Sequence, residues 1–261
     1  MVTYLDRIVD RHRQAATADI RTLGELVAKT AAMAPCRGFR AAIQATPEIA
    51  VIAEVKRRSP SKGDLDVDLD PAATAAAYEA GGAACLSVLT DEEFFGGSVG
   101  DLHAAHGATR LPAIRKDFTV DPRDVADARL MGADAVLLIA AVLDPFELIE
   151  FHELACELGL DALVEVHDEP ELEEALNAGA TLIGVNQRDL VTFEVDHDRA
   201  ARVALAIPEG VVKVAESGIR DADDARRLAD AGYDALLVGE ALVTSGDPAA
   251  AVASLRVARR H

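Results

Sequence analysis

Short apolar segments alternate with longer amphipathic segments along most of the chain. Four apolar segments are typical of buried strands: residues 49–56, 111–115, 161–166 and 211–215. Apolar positions recur at helical spacing in the segments between them: residues 71–80, 121–130, 145–158, 169–178 and 221–231. Several of these begin with Asp or Asp-Pro and end at Gly, which favour the start and the end of a helix. The pattern therefore predicts strands that alternate with helices.

The same pattern repeats at a regular interval. An Ala-Gly or Met-Gly pair precedes a short apolar run four times, with glycines at 81, 132, 179 and 232, so the intervals are 51, 47 and 53 residues. One strand–helix unit takes about 25 residues, so the chain holds about eight units. This predicts the α/β class and a single (β/α)8 TIM barrel. An open doubly wound sheet is the alternative, but no Gly-x-Gly-x-x-Gly follows the first strand to bind a dinucleotide.

Residues 1–46 precede the first predicted strand. Apolar residues recur there at helical spacing: Leu5, Ile8, Val9, Leu23, Leu26 and Val27. We expect an N-terminal helical extension over 1–46 and the barrel over 47–261, together one domain. Two placements of the extension stay open, a plug under the barrel and a lid over its mouth.

Composition narrows the class of protein. Of the 261 residues 50% are hydrophobic, enough for a large core. The formal charge is −19, from 26 basic and 45 acidic residues, which disfavours nucleic acid and anionic membranes as partners. Only five basic residues are Lys, and an acidic, Lys-poor surface favours adaptation to high salt.

The sequence lacks the features that are typical of membrane and secreted proteins. The longest apolar run, residues 135–143, is less than half of the about 20 residues that a membrane-spanning helix needs. The first residues carry no apolar signal-peptide core. The three Cys show no CxxC pairing, and we expect Cys85 and Cys156 to be buried thiols. These features predict a cytoplasmic protein.

Polar residues stand at five of the predicted strand ends, where barrels of this kind carry their active sites. Alternation of side chains places them on the face that points into the barrel: Glu54, Lys56, Lys116, Glu165, Asn186 and Glu216. A ring of salt bridges around the barrel rim is the alternative explanation. Burying so many charges at one mouth is costly without a function, and a mixed Lys/Glu cluster suits acid–base chemistry.

Three further features predict an anionic, partly aromatic ligand. Four of the seven residues 56–62 are basic. Ser217, Gly218 and Gly239 follow the seventh and eighth strands, where barrels commonly hold phosphate on backbone N–H groups. Phe118 offers a flat wall beside Lys116. No metal site is expected, because His103 and His106 have no ligand-spaced third partner.

The chain resembles the indole-3-glycerol phosphate synthase family of the tryptophan pathway. The resemblance covers nearly the whole chain. It rests on eight short sequence blocks that occur in the family's order: 52–61, 86–90, 95–98, 115–122, 163–167, 184–190, 215–219 and 237–240. It implies closure of 1-(2-carboxyphenylamino)-1-deoxyribulose 5-phosphate to indole-3-glycerol phosphate, with release of CO2 and water. It also implies that no cofactor or metal takes part.

The resemblance implies roles for the catalytic residues. Lys116 is the general acid that protonates the ketone oxygen, and Glu165 transfers a proton in the dehydration. Lys56 holds anionic groups and shares the acid role. The other three orient or tune this network: Glu54, Asn186 and Glu216.

The resemblance also implies the binding residues. Substrate contacts and the wall around the aromatic ring come from Ser59, Phe95, Phe118, Leu137, Arg188 and Leu190. The phosphate binds at Ser217, Gly218 and Gly239. Where some relatives place a Ser after the last glycine, this chain has Glu240, whose side chain cannot help to bind a dianion.

Two other functions remain in view. A phosphoribosylanthranilate isomerase-like enzyme would use a Cys base at the end of the first strand, where this chain has Glu54 and Lys56. A non-catalytic sugar-phosphate-binding barrel would need no matched acid and base. In each case the partner is a small anionic molecule, and we expect a monomer or a weak oligomer.

Overall fold

The computed structural model describes residues 3–60, 62–189 and 191–259. Within them, eight parallel strands form a closed barrel: β1 (Ala50–Val55), β2 (Cys85–Leu89), β3 (Ala113–Lys116), β4 (Ala135–Ile139), β5 (Asp161–Val166), β6 (Leu182–Asn186), β7 (Val212–Glu216) and β8 (Ala235–Val238). Each strand pairs with the next, and β1 pairs with β8 in register from Ala50↔Ala235 to Ala53↔Val238. The predicted TIM barrel is confirmed. The alternative prediction of an open sheet was wrong, because the first and last strands are hydrogen-bonded to each other. A two-stranded hairpin, Arg58–Ser59 with Gly63–Asp64, follows β1.

Helices surround the barrel. They are α1 (Tyr4–Ala18), α2 (Leu23–Thr30), α3 (Phe39–Ala45), α4 (Pro71–Ala80), α5 (Glu92–Phe95), α6 (Val99–Ala108), α7 (Pro122–Leu130), α8 (Pro145–Glu157), α9 (Glu169–Asn177), α10 (Arg199–Ala204), α11 (Ala222–Asp230), α12 (Glu240–Val243) and α13 (Pro248–Leu255). The five helices predicted from the sequence agree with α4, α7, α8, α9 and α11 within one residue at either end. Asp121 explains one such boundary: its side chain accepts a hydrogen bond from the N–H of Arg123 and so begins α7.

Alternating strand residues build two separate apolar layers. One face of each strand packs against the helices, and the other fills the barrel interior, as with Ile52, Ile114, Leu163 and Val214. The interior layer continues into Phe39 and Ile43 of α3, which are fully buried at the amino ends of the strands. The N–H of Arg40 donates to Asp161 Oδ2 at the start of β5, at 2.8 Å. The bottom of the barrel is therefore closed by α3, and polar residues are left to the opposite end.

The first helix lies at the other end of the barrel. Tyr4 packs edge-on against Phe94 and Phe193, with ring centroids 5.8 and 5.7 Å apart, in the loops after β2 and β6. Arg13 forms an ion pair with Glu147 at 2.8 Å. The N-terminal segment thus reaches both ends of the barrel: α3 plugs the bottom, and α1 lies at the mouth.

Two further expectations concern the surface. Cys85 is buried, but Cys156 is exposed, because it falls just outside the buried stripe of α8 that ends at Ala155. The prediction of a buried thiol at Cys156 was wrong. Among the helices of the described residues, none combines the length and the apolar character needed to span a bilayer.

Candidate active site

A cavity of about 670 Å³ opens at the carboxyl ends of the strands. Fourteen of the fifteen site residues predicted from the sequence line it: Glu54, Lys56, Ser59, Phe95, Lys116, Phe118, Leu137, Glu165, Asn186, Arg188, Glu216, Ser217, Gly218 and Gly239. The fifteenth, Leu190, lies outside the described residues. Strand alternation brings these side chains together because odd and even positions face opposite sides of a strand.

Lys116 stands at the centre of the polar residues. Its Nζ lies 3.3 Å from Glu165 Oε2 and 4.0 Å from Glu216 Oε2. The three side chains come from β3, β5 and β7, and their exposed fractions are 16%, 2% and 3%. A lysine between two carboxyl groups is thus held almost out of contact with solvent.

This arrangement fixes the charge of Lys116 and of Glu165. Burial alone would lower the pKa of Lys116, but the carboxylates of Glu165, Glu216 and Glu54 outweigh it and hold that pKa above its ordinary value. Burial would raise the pKa of Glu165, but Lys116, His167 and a hydrogen bond from Asn186 outweigh it and lower the pKa to about 2. At neutral pH the pair is therefore an ammonium and a carboxylate.

The pKa of Glu216 is shifted in the opposite direction. Burial and the neighbouring Glu165 carboxylate raise the pKa of Glu216 well above its ordinary value, although Lys116 opposes the shift. Its Oε1 is buried without a hydrogen-bond partner among the described residues. The carboxyl group fits only because residue 184 is glycine, since a Cβ there would collide with Glu216 Oε1. Glu216 is thus harder to ionise than an ordinary carboxyl group, and it packs beside an ion pair.

A second ion pair lies at the end of β1. Lys56 Nζ donates to Glu54 Oε1, and Ser87 Oγ donates to Glu54 Oε2 at 3.3 Å. Gly239 leaves room for this pair, because a Cβ there would collide with the Glu54 carboxylate and lie 3.0 Å from Lys56 Nζ. The end of β8 therefore shapes the part of the cavity that holds this ion pair.

Asn186 links the carboxylate to the loop after β6. Its Nδ2 donates to Glu165 Oε1 at 3.0 Å, and its Oδ1 accepts from the N–H of Arg188 at 3.0 Å. The Arg188 guanidinium in turn donates to the carbonyl of Phe193 at 2.9 Å. These bonds fix which end of the Asn186 amide faces Glu165.

Aromatic rings form one wall of the cavity. Phe118 lies 6.3 Å from Phe95, measured between ring centroids, with the planes tilted by 36°. The ring centroid of Phe118 also lies 5.6 Å from that of His12 on α1. Leu137 of β4 adds apolar surface, so a flat apolar ligand can pack here.

Of the four basic residues in segment 56–62, two line the cavity and two do not. Lys56 and Lys62 line it, and Lys62 Nζ lies 3.5 Å from Glu240 Oε1. Arg57 instead pairs with Asp101, and Arg58 with Asp64 at 3.0 Å. Two of the four basic residues therefore face the cavity, and acidic partners elsewhere in the fold neutralise the two arginines.

The segment after β7 has an unusual backbone. Ser217 and Gly218 both adopt left-handed conformations, with φ of 65° and 71°. A turn of this kind can direct successive backbone N–H groups toward one point and so form an anion-binding concavity. A Cβ at Gly218 would lie 2.5 Å from Val195 and 3.1 Å from His197, so a larger residue does not fit there.

Sequence reasoning missed several residues that shape the site. His12 Nε2 lies 3.0 Å from Asp91 Oδ2 and 3.7 Å from Asp117 Oδ1, and the three ligand atoms lie within 4.8 Å of one another. This cluster attaches α1 to the loops after β2 and β3. His167 lies beside Glu165. It follows Glu165 by two residues, so strand alternation places both on the same face, and this spacing could have identified it from the sequence. No sequence signal indicated the role of Gly184.

Known proteins resemble this chain in sequence and in fold. The sequence model of the family described as indole-3-glycerol phosphate synthase matches residues 5–255. The indole-3-glycerol phosphate synthase of Mycobacterium avium (strain 104) is 49% identical over 261 residues, which cover 99% of this chain and 96% of that protein. The enzyme of that name from Parafrankia sp. (strain EAN1pec) is 54% identical over 220 residues, 84% of this chain and 82% of that one.

More distant proteins share the fold alone. The thiamine phosphate pyrophosphorylase of Pyrococcus furiosus aligns with a TM-score of 0.59 and 19% identity over 80% of this chain and 94% of that one. The N-acetylmannosamine-6-phosphate 2-epimerase of Clostridium perfringens aligns with a TM-score of 0.61 and 15% identity over 77% and 90%. The full-length sequence match, together with the barrel, decides the family: the chain belongs to the indole-3-glycerol phosphate synthases, the carboxy-lyases of tryptophan biosynthesis.

Proposed function

We propose that Lys116 and Glu165 are the general acid and the general base with which this chain performs the family's reaction. The observation that carries the proposal is the 3.3 Å separation of Lys116 Nζ and Glu165 Oε2 inside the cavity. An ammonium and a carboxylate at that distance give one donor and one acceptor for protons.

The first step joins two carbons of the substrate. The ring carbon that bears the carboxylate attacks the ketone carbon, and the ketone oxygen takes a proton from Lys116. An ammonium near developing negative charge stabilises the transition state and remains protonated at neutral pH until it is needed. The carboxylate then leaves as CO2, and the electron pair of the broken bond restores the aromatic ring.

The second step removes water. Glu165 takes a proton from the methylene carbon next to nitrogen, and the electron pair of that C–H bond forms the new double bond. The hydroxyl leaves as water with a proton that Lys56 supplies. Glu54 and Asn186 orient Lys56 and Glu165, with which they are hydrogen-bonded. Glu216, 4.0 Å from Lys116 Nζ, tunes the pair.

Binding is divided among three parts of the cavity. We assign the aromatic ring to the wall of Phe95, Phe118 and Leu137. The phosphate binds backbone N–H groups at Ser217, Gly218 and Gly239, where two left-handed residues support an anion site. Ser59 and Arg188 contact the remaining polar groups, and the role of Leu190 stays a prediction.

The direct test is turnover by the purified protein. We expect the fluorescence of indole-3-glycerol phosphate to appear when the protein is mixed with the carboxyphenylamino deoxyribulose phosphate. Glu165→Gln should reduce kcat by about 10²- to 10⁴-fold, the range of acid–base catalysis. Binding of the substrate without product would instead support a sugar-phosphate-binding barrel. A nearly unchanged kcat in Glu165→Gln would remove Glu165 from the mechanism.

We also propose that the protein is a cytoplasmic monomer or weak oligomer adapted to high salt. The adaptation to high salt is supported by the formal charge of −19, because salt screens the repulsion between the acidic residues. The melting temperature should therefore rise with added KCl at pH 7. A melting temperature that is the same in low and high salt would refute the adaptation.

A further inference from the structure

His167 lies beside Glu165, and the mechanism above does not use it. It follows β5 directly, and its side chain is 11% exposed. Its Nδ1 lies 3.0 Å from Glu171 Oε2, which also accepts a hydrogen bond from the His167 backbone N–H at 2.7 Å. The imidazole is thus held from behind by a carboxylate on α9.

This contact decides which nitrogen of the ring can exchange a proton. A carboxylate oxygen accepts hydrogen bonds, so Nδ1 keeps its proton in both charge states of the ring. The proton that is gained and lost is therefore on Nε2. That atom is buried, has no hydrogen-bond partner among the described residues, and lies 3.8 Å from Glu165 Oε1. Distances between catalytic groups are often this long before a substrate is bound.

Glu165 alone is poorly matched to its task. The surroundings that hold its pKa at about 2 also make it a weak base at neutral pH. Three charged groups face His167: Glu165 on β5, Glu171 on α9 and Arg199 on α10. Burial lowers the pKa of His167 and Arg199 lowers it further, but the two carboxylates outweigh them and raise it above its ordinary value. His167 is therefore the stronger base of the two.

We propose that His167 is a positioning residue that acts through Glu165, with Nε2 receiving the proton that Glu165 removes from the substrate. The inference rests on the role of Glu165 proposed above. The C–H bond breaks, Glu165 carries the proton, and the imidazole becomes an imidazolium beside a restored carboxylate. Once the product has left, the imidazolium returns its proton to water. The working form of the residue is thus the neutral imidazole.

Two variants test this in the full-length protein. His167→Gln should lower kcat by at least about tenfold, with KM within about threefold, because His167 is not among the residues that line the cavity. In the wild type kcat should rise with pH as His167 loses its proton, and this limb should disappear in His167→Gln. In Glu171→Gln the new side chain still accepts the Nδ1–H bond but carries no charge. Without that carboxylate the pKa of His167 falls, so the rise of kcat with pH should move to lower pH.

His152→Gln is the matched control. His152 is another buried histidine, on α8 in the outer layer, and its pKa is lowered by burial. The control should keep both kcat and the pH profile of the wild type. Melting temperatures of all variants separate a folding defect from a chemical one, and the limb shift of Glu171→Gln does not depend on whether His167→Gln folds well.

The outcomes separate this inference from the proposed function. If Glu165→Gln is inactive while His167→Gln keeps the wild-type kcat and pH profile, Glu165 does not need His167 to release its proton and the inference is wrong. If Glu171→Gln leaves the limb at the same pH, the titrating group is not His167. If Glu165→Gln remains active, the proposed role of Glu165 fails first.

Discussion

Replacing Lys116 with methionine should have a large effect that can be calculated from the structure. Methionine keeps the apolar stem but removes the ammonium that lies 3.3 Å from Glu165 Oε2. At that distance the attraction is about 5 kcal/mol for an effective dielectric constant of about 20, or roughly 3.7 pKa units. Without it, the pKa of Glu165 should rise from about 2, because burial then acts against ionisation with less opposition.

Lys116→Met should therefore lose the proton donor for the ketone oxygen. Glu165 should still accept a proton, because a higher pKa makes it a stronger base. We expect kcat to fall by about 10³-fold or more, since acid–base help alone contributes about 10²- to 10⁴-fold. KM should change little, because the aromatic wall and the phosphate site remain. Product fluorescence gives kcat, and calorimetric titration with the product gives affinity.

The matched control is Lys213→Met. Lys213 is also on a barrel strand, β7, but its Nζ donates to the carbonyl of Ala204 at 2.9 Å, away from the cavity. It should keep the wild-type kcat. The reasoning is refuted if Lys116→Met retains kcat within tenfold of the wild type, or if both lysine variants lose activity equally.

Three more predictions concern single residues. The folded-state pKa of Glu216 is raised, so its proton stabilises the fold below its unfolded pKa and this contribution is lost as pH rises toward the folded value. Glu216→Gln should therefore gain melting temperature relative to the wild type between pH 5 and pH 8, and a gain that shrinks over that window would contradict this. Lys56→Ala should raise KM for the anionic substrate as well as lower kcat, and an unchanged KM would place Lys56 outside the binding site. Gly239→Ala should lower kcat by at least about tenfold because its methyl group collides with the Glu54 carboxylate, whereas wild-type kinetics would show that the pair moves aside freely.

Much of the site could be predicted from the sequence because strand geometry is local. Side chains alternate along every strand, so Ile52 inside the barrel places Glu54 inside as well, and Leu163 does the same for Glu165. The carboxyl ends of parallel strands meet at one edge, so separate short motifs converge without any knowledge of the loops.

The features that could not be predicted depend on partners distant in sequence. The charge of Arg57 is neutralised by Asp101, 44 residues away, and nothing near Arg57 indicates this. The attachment of His12 to Asp91 crosses 79 residues. Charge states are likewise set by the assembled cavity, since Glu165 and Glu216 have the same side chain but opposite pKa shifts.

The most direct test of the central claim is a crystal structure of the protein with indole-3-glycerol phosphate bound. We predict that the indole ring packs against Phe118 and that the phosphate accepts hydrogen bonds from backbone N–H groups at Gly218 and Gly239. Lys116 Nζ and the Glu165 carboxylate should both lie next to the newly closed ring. Product bound with its ring away from these two residues, or with its phosphate at the Lys62 end of the cavity and not at Gly218, would contradict the assignment.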